Sequence, residues 1–385
     1  MLNFDFYNPT RIVFGQGKVA EIDNLVPQDA RVLMLYGGNS ARKNGTLDEA
    51  KVALGGRYVE EFGGIEPNPT YETLMKAVAQ VKANKLDFLL AVGGGSVIDG
   101  TKFVAAAVYA ESEPWDILVK HGANVKQALP YGTVLTLPAT GSEMNSGSVV
   151  TREEIKAKLY FTSEHVFPKF SVLDPTKSYT LPPRQLANGI VDAYTHIMEQ
   201  YLTYPVGALV QDRFAEGLLQ TLIEIGPKIL ANPQDYGLQA NFMWTATLAL
   251  NGLIGSGVPG DWATHMIGHE ITALHGLDHA QTLAVILPTM LSVRREPKRA
   301  KLLQYAERVW HITAGSEDER IDAAIAKTRA FYESLGVKTR LSAYQIGKDA
   351  IPALLRQLET HGMVKLGEHQ DVTLEKSREV LEASI

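Results

Sequence analysis

The chain has 385 residues, of which 45% are hydrophobic and 21% charged, and its formal net charge is −6. This composition is typical of a globular protein of two or three domains, and its mild acidity is unfavourable for binding nucleic acid or an anionic membrane. The absence of cysteine excludes disulfides, thiol nucleophiles and cysteine-ligated metal sites. The first residues lack a signal-peptide pattern and no apolar run reaches ~18 residues, so we expect a cytoplasmic protein without a membrane span.

In the first half of the chain, short apolar runs alternate with helical patterns. Residues 31–36, 88–92, 133–137 and 170–173 are nearly all apolar, as in strands that are covered on both faces. The short run RIVF (residues 11–14) also has strand character. Strands that alternate with helices predict a parallel sheet with helices on both sides.

From about Thr180 onward the strand signals stop. Helical patterns occupy residues 192–201, 211–225, 240–250 and 299–310, and a capping box at Ser316 predicts the start of another helix. We place the boundary between the two halves of the chain at Leu181-Pro182-Pro183, because proline disfavours helix in the residue before it. We therefore predict an α/β domain of the dinucleotide-binding type over residues 1–180, an all-helical domain over residues 181–385, and a cleft between them.

Glycine-rich turns suggest a phosphate site. Three glycines (residues 93–95) and Ser96 follow the strand at 88–92 and open a helical pattern, so backbone N–H groups and the helix N-terminus are available to an anion. A tight structural turn is the alternative. The segment 138–143, with Thr140, Gly141 and Ser142, is a second candidate. The match to G-x-G-x-x-A at Gly15 is interpreted as a structural turn, because the acid expected ~20 residues later is missing.

The missing acid bears on cofactor choice. Where NAD-dependent enzymes place a carboxylate after the second strand, this chain has Gly37, Gly38, Asn39 and Ser40, followed by basic residues. A carboxylate would repel the 2′-phosphate of NADP, whereas small and polar residues admit it. This loop therefore favours NADP, with a basic surface loop as the alternative.

Four of the ten histidines lie between residues 265 and 279, and Asp192 and His196 share a helix face upstream. His265 and His279 would be roughly 21 Å apart on one straight helix, so a shared metal requires a turn between them. Gly276 can end one helix and Asp278 can begin the next. Spacing alone does not choose among His265, His269 and His275 as ligands. Imidazoles with a carboxylate suit Zn²⁺ or Fe²⁺.

Together these motifs resemble the iron-containing (group III) alcohol dehydrogenases. The resemblance is carried by GGGSxxDxxK from Gly93, TGSE from Thr140, DPxxxxxLPP from Asp174, DAxxHxxEQY from Asp192, and HxxxH from His265 with a further histidine at His279. It extends over essentially the whole chain. GGIEPNP at residues 63–69 and the loop at 37–40 are most similar to the NADPH-dependent aldehyde reductase and butanol dehydrogenase branch.

The resemblance implies a dehydroquinate synthase-like fold, a homodimer, and reversible reduction of short-chain aldehydes by NADP(H) with one divalent metal, zinc or iron. A polyol (glycerol-type) dehydrogenase or a metal-dependent lyase on the same fold is the alternative. The implied metal ligands are Asp192, His196, His265 and His279. The implied cofactor residues are Gly37, Gly38, Asn39, Ser40, Gly94, Gly95, Ser96, Asp99, Thr136, Ser142 and Lys158. His269 would face the nicotinamide and is our candidate catalytic residue; His275 or water is the alternative proton source.

Overall fold

The computed structural model describes residues 1–385, and its internal contacts separate the chain into two compact units. The first, here called the sheet unit, comprises Tyr7–Leu181 and Pro233–Thr247. The second, the helical unit, comprises Met1–Phe6, Pro182–Asn232 and Leu248–Ile385. Each unit buries apolar clusters of its own.

The sheet unit contains a six-stranded parallel sheet and a separate antiparallel hairpin. The eight strands are β1 (Arg11–Phe14), β2 (Arg31–Tyr36), β3 (Tyr58–Phe62), β4 (Phe88–Gly94), β5 (Tyr131–Leu137), β6 (Gly147–Arg152), β7 (Ala157–Thr162) and β8 (Phe170–Leu173). The sheet has the order β1-β8-β5-β4-β2-β3, and all neighbouring strands are parallel. This confirms the predicted parallel sheet and all five predicted strands.

Helices cover both faces of the sheet. The sheet unit contains α1 (Ile22–Leu25), α2 (Ser40–Lys43), α3 (Thr46–Ala53), α4 (Tyr71–Asn84), α5 (Gly95–Ala107) and α6 (Asp116–Val119). Alternate strand residues point to opposite faces, so Leu33 and Leu35 of β2 join one cluster with α4 and α5. Val32 and Met34 join a second cluster with α1–α3. A strand buried on both faces has no polar side, which explains the continuous apolar runs.

The sequence analysis missed three strands. β3 is an edge strand whose residues are exposed or half-buried, and its YVEEF sequence has no buried apolar run. β6 and β7 pair from Gly147↔Thr162 to Arg152↔Ala157, outside the main sheet. Strands with an exposed face or an exposed edge carry a weaker apolar signal, and this is why they were missed.

The remaining helices are α7 (Pro183–Tyr201), α8 (Leu209–Ala231), α9 (Tyr236–Ala249), α10 (Ala263–His275), α11 (His279–Val293), α12 (Arg299–Arg308), α13 (Glu317–Ser334), α14 (Ile351–Thr360) and α15 (Leu374–Ala383). The contacts assign α9 as far as Thr247 to the sheet unit. No strand occurs after β8, and the predicted helices and the capping box at Ser316 are confirmed. None of the helices combines the length and the apolar run needed to cross a bilayer.

The predicted turn between His265 and His279 is also confirmed. α10 ends at His275, and the next residue, Gly276, has a φ of 71°, the left-handed conformation that glycine adopts without steric cost. α11 begins after Asp278, whose backbone N–H donates to Gln281 Oε1 at 3.2 Å. The chain therefore reverses between His265 and His279 and does not continue as one helix.

Candidate metal centre and cofactor loops

The candidate phosphate turn links β4 to α5 in the sheet unit. A Cβ atom at Gly93 would lie 2.5 Å from Val97 Cγ2, and one at Gly95 would lie 2.3 Å from Thr140 Oγ1. Only glycine fits these two positions without displacing a neighbour. Gly95 is the first residue of the 13-residue α5, so its N-terminal N–H groups and the helix dipole favour an anion at this turn.

Asp99 connects this turn to the segment that contains Ser142. Ser142 Oγ donates to Asp99 Oδ1 at 2.5 Å, and the Val149 N–H donates to Asp99 Oδ2 at 2.9 Å. Burial raises the pKa of Asp99, while Lys102 opposes that rise. Lys102 itself donates to Asn145 and to the Gly147 carbonyl, and burial lowers its pKa to about 8.

Two other sequence-predicted residues belong to the same region. Lys158 Nζ donates to Asn68 Oδ1 at 2.8 Å, and the Asn68 N–H donates to Ser96 Oγ at 3.3 Å. The structure thereby connects β7 to the glycine turn. Thr136 is half-buried near the carboxyl end of β5, the strand that neighbours β4.

The loop after β2 exposes polar groups. Asn39 and Ser40 are exposed, and a Cβ atom at Gly38 would meet nothing within 4 Å. Arg42 donates to Glu61 Oε2 at 2.7 Å, an edge-strand carboxylate that the sequence analysis did not associate with this loop. Lys51 lies 2.7 Å from Glu61 Oε1, so two cations flank this one carboxylate.

Four donor side chains converge in the helical unit. Asp192 and His196 lie one turn apart on α7, His265 lies on α10, and His279 is the first residue of α11. Asp192 Oδ1 lies 3.6 Å from His196 Nε2, 3.9 Å from His265 Nε2 and 3.7 Å from His279 Nε2. Ligand atoms of Asp192, His265 and His279 all lie within 4.8 Å of one another.

These distances fit a bound divalent cation better than direct hydrogen bonds. Donors about 2.1 Å from a tetrahedral ion are roughly 3.4 Å apart, close to the separations found here. His265 Nε2 is buried and makes no hydrogen bond, which is the state of a nitrogen reserved for a metal. Burial lowers the pKa of His196 to about 4, which keeps its ring in the neutral form that binds metals. One carboxylate with three imidazoles suits Zn²⁺ or Fe²⁺.

Glu199 supports His265 from behind, a role that the sequence analysis missed. Its Oε2 contacts His265 Nδ1, and its Oε1 accepts from the Thr264 N–H at 2.7 Å. Burial opposes a charge on His265, yet Glu199 and Asp192 outweigh it and raise the pKa of this histidine to about 9. A carboxylate behind a metal-binding imidazole fixes the ring and its tautomer. The sequence did contain a signal for this role, because Asp192, His196 and Glu199 follow one another at spacings of four and three residues.

The structure gives different surroundings to His269 and His275, the other two histidines between residues 265 and 279. The ring centroid of His269 lies 5.2 Å from that of His279 and 6.4 Å from that of His265, and His269 is buried. His269 therefore adjoins the donor cluster without entering it. His275 is exposed at the last position of α10, and partial desolvation lowers its pKa. It makes no ring contact with the cluster.

Comparison with known proteins gives the same family for both parts of the chain. The model of the iron-containing alcohol dehydrogenases matches residues 9–175, and that of the C-terminal domain of the Fe-containing alcohol dehydrogenase family matches residues 186–385. The chain belongs to the iron-containing alcohol dehydrogenase family.

Two relatives and one crystal structure illustrate the similarity. The NADPH-dependent aldehyde reductase YqhD of Escherichia coli (strain K12) is 61% identical over 100% of both chains. The probable NADH-dependent butanol dehydrogenase 1 of Bacillus subtilis (strain 168) is 41% identical, again over 100% of both. A crystal structure of E. coli K-12 YqhD covers 100% of this chain and 99% of its own, with 60% identity and a TM-score of 0.99.

Proposed function

We propose that this protein is a metal-dependent reductase that converts short-chain aldehydes to alcohols, and the reverse, with NADPH as its hydride donor. The observation that carries the proposal is the convergence of three imidazoles on Asp192 Oδ1 at 3.6–3.9 Å. The same chain has the glycine turn at Gly93–Gly95 for a dinucleotide. The relative that is 61% identical is an NADPH-dependent aldehyde reductase.

The sheet unit is proposed to hold NADP(H). Gly94, Gly95 and Ser96 would bind the pyrophosphate through backbone N–H groups at the start of α5. Thr136, Ser142 and Lys158 would line the cofactor, and Asp99 would fix Ser142 and Val149 in place through its two hydrogen bonds.

The choice of NADP over NAD rests on the loop after β2. Gly37, Gly38, Asn39 and Ser40 would surround the 2′-phosphate, because this loop offers open space, a hydroxyl and an amide without a carboxylate of its own. Arg42 and Lys51, which both pair with Glu61, are cations close to this loop. The similarity to both an NADPH-dependent and an NADH-dependent relative makes this loop the point to test.

The helical unit is proposed to hold the metal through Asp192, His196, His265 and His279. When bound, NADPH supplies a hydride for the carbonyl carbon and the metal polarises the carbonyl oxygen as a Lewis acid. The reduction consumes one proton per aldehyde, and His269 is proposed to deliver it to the product oxygen. His269 is the buried histidine that borders the cluster and is not one of the four proposed ligands.

Two further expectations accompany this function. The homodimer implied by the family resemblance and the cytoplasmic location inferred from the sequence both stay predictions.

The test is consumption of NADPH and of NADH with butanal, before and after chelation and with Zn²⁺ or Fe²⁺ restored. We expect NADPH oxidation that the chelator abolishes and one metal restores. Equal use of NADH would contradict the interpretation of residues 37–40. Absence of turnover with either cofactor, in protein shown to contain metal, would refute the aldehyde reductase.

A matched pair of variants tests the proton donor. His269→Gln and His275→Gln remove histidines from the same helix, but only the first borders the cluster. We expect a large loss of kcat in His269→Gln with full metal content and little change in His275→Gln. Loss of metal in His269→Gln would show that this residue is a ligand.

A further inference from the structure

Two of the proposed metal ligands lie in the first turns of their helices. His265 is the third residue of α10, and His279 is the first residue of α11. The first N–H groups of a helix have no intrahelical partner, and helix ends fray. A ligand in a first turn therefore keeps its position only where that turn is fixed to another part of the molecule. For α10 this contact comes from Glu199 of α7, through the Thr264 N–H.

The first turn of α11 is fixed to α7 by Asn188. Asn188 Nδ2 donates to Asp278 Oδ2 at 2.8 Å, and Asp278 is the N-cap residue immediately before His279. Asp278 is itself bonded into the turn, because its N–H donates to Gln281 Oε1 at 3.2 Å and its carbonyl accepts from the Gln281 N–H at 3.0 Å. A displacement of Asp278 therefore moves the backbone of His279 with it.

Arg184 also approaches the same carboxylate oxygen. Its Nη2 lies 3.5 Å from Asp278 Oδ2, and its side chain is 70% exposed. An exposed ion pair of this kind contributes little, because solvent screens the charges and the long side chain loses rotamer freedom. Asn188 is half-buried and makes the shorter contact. The attachment of Asp278 to α7 therefore rests mainly on Asn188.

One face of α7 carries both ligands and supports. Asn188, Asp192, His196 and Glu199 follow one another at spacings of four, four and three residues, so they share one side of the helix. The middle two residues are proposed ligands. The outer two hold the helices that carry the other two ligands, Asn188 at α11 and Glu199 at α10.

The stability of α7 does not account for an asparagine at this place. Asparagine is a poorer helix former than leucine or alanine, because its amide competes for backbone hydrogen bonds. Asn188 lies inside the 19-residue α7, and its amide reaches the start of a second helix instead. The contact with Asp278 is what asparagine supplies here and what an apolar residue would not.

We propose that Asn188 is a positioning residue of the metal centre, which holds Asp278 so that the His279 imidazole stays within reach of a cation at Asp192. This inference rests on the proposed function and adds a residue to the same site. Metal–ligand distances are held to about 0.2 Å, so a small shift of α11 is enough to weaken the site. Loss of a group that orients a ligand commonly lowers metal affinity roughly 10- to 100-fold.

The test measures the Zn²⁺ affinity of the metal-free protein by competition with a chelating dye. Asn188→Leu and Asn188→Ala both remove the hydrogen bond, the first with the same number of side-chain heavy atoms and both with a better helix former. We expect the affinity to fall about tenfold in each, with an unchanged far-UV circular dichroism spectrum. Asn241→Leu is the control, because Asn241 is an exposed residue of α9 whose amide donates to the Gly237 carbonyl of its own helix.

An exchange variant separates positioning from the mere presence of asparagine. Asn188→Asp combined with Asp278→Asn swaps donor and acceptor while keeping the hydrogen bond, the net charge and an N-cap residue of the favoured kind. We expect its Zn²⁺ affinity to stay within about threefold of the wild type.

Co²⁺ in place of Zn²⁺ reports which ligand is displaced, because its visible spectrum depends on the number and geometry of the ligands. His279→Ala provides the spectrum of a centre without this imidazole. The spectrum of Asn188→Leu should shift toward that of His279→Ala, whereas the exchange variant should keep the wild-type spectrum. A general loss of packing would not produce this pattern.

Wild-type Zn²⁺ affinity and Co²⁺ spectrum in Asn188→Leu and Asn188→Ala would overturn the positioning role and leave the proposed reductase standing. An equal loss of affinity in the exchange variant, or a loss with an unaltered Co²⁺ spectrum, would overturn it as well. A wild type that binds no Zn²⁺, or that binds it as tightly after His279→Ala, would overturn both this inference and the metal centre of the proposed function.

Discussion

Replacement of Glu199 by glutamine tests how a buried carboxylate controls a metal-binding histidine. Glu199 accepts two hydrogen bonds, one from the Thr264 N–H and one at His265 Nδ1. Glutamine has one oxygen and one NH₂ group, so it can satisfy only one of these donors. The Thr264 N–H is fixed in α10, and the glutamine oxygen is expected to turn toward it.

The remaining NH₂ group then faces His265 Nδ1, which has to accept. That arrangement moves the ring proton to Nε2, the atom directed at Asp192, and removes the lone pair that a metal requires. The opposite orientation of the amide leaves the buried Thr264 N–H without an acceptor, at a cost of about 1–3 kcal/mol. Either way, we expect metal affinity to fall roughly 10- to 100-fold, or about 1.4–2.8 kcal/mol.

The assay is competition for Zn²⁺ between the metal-free protein and a chelating dye. Glu270→Gln is the matched control, because Glu270 is a buried carboxylate on α10, the helix of His265, and its partner is His361 Nδ1 at 2.7 Å. Its Zn²⁺ affinity should stay within about threefold of the wild type. A folded Glu199→Gln protein that binds Zn²⁺ as tightly as the wild type would refute the reasoning, as would equal losses in both variants.

Three other predictions concern turnover, cofactor binding and pH. His269→Ala should lower kcat about 100-fold at unchanged metal content, measured by steady-state kinetics and metal analysis. Gly95→Ala places a Cβ atom 2.3 Å from Thr140 Oγ1; the displaced turn should destabilise the protein by about 1–3 kcal/mol and weaken NADPH binding in a fluorescence titration. The hydrogen bond from His361 to Glu270 raises the pKa of His361 above its ordinary 6.5. Its stabilisation is complete below that value and is lost as pH rises through the higher folded-state pKa. Urea midpoints should therefore fall between pH 6 and 8 in the wild type and less in His361→Gln.

The controls for these predictions are available in the chain. Gly217→Ala adds a methyl group to α8 where nothing lies within 4 Å, so it should stabilise the helix by about 0.5–1 kcal/mol and leave NADPH binding unchanged. Unaltered cofactor affinity in Gly95→Ala would argue against the phosphate turn. If the urea midpoints of the wild type and of His361→Gln changed identically with pH, protonation of His361 would not be coupled to folding between pH 6 and 8.

Much of the fold could be predicted from the local pattern of residues in the sequence. The strand at Arg31–Tyr36 is apolar at nearly every position because both of its faces are covered, and this property depends only on the residues in the run. The turn at Gly276 and Asp278 was also visible, since a glycine followed by a capping residue ends one helix and begins the next. By contrast, Tyr58–Phe62 became a strand only through pairing with β2, and its own sequence gives little sign of that.

The sequence by itself determined the parallel-sheet and helical parts, the family resemblance and the residue types that can hold a metal and a dinucleotide. Spacing left open which histidines meet, and the ligand set came only from the resemblance; the tertiary structure brings His265 and His279 to Asp192 through a chain reversal and the packing of three helices. It also revealed Glu199 behind His265. Convergence of side chains from separate helices is a property of packing, and no spacing along one segment encodes it.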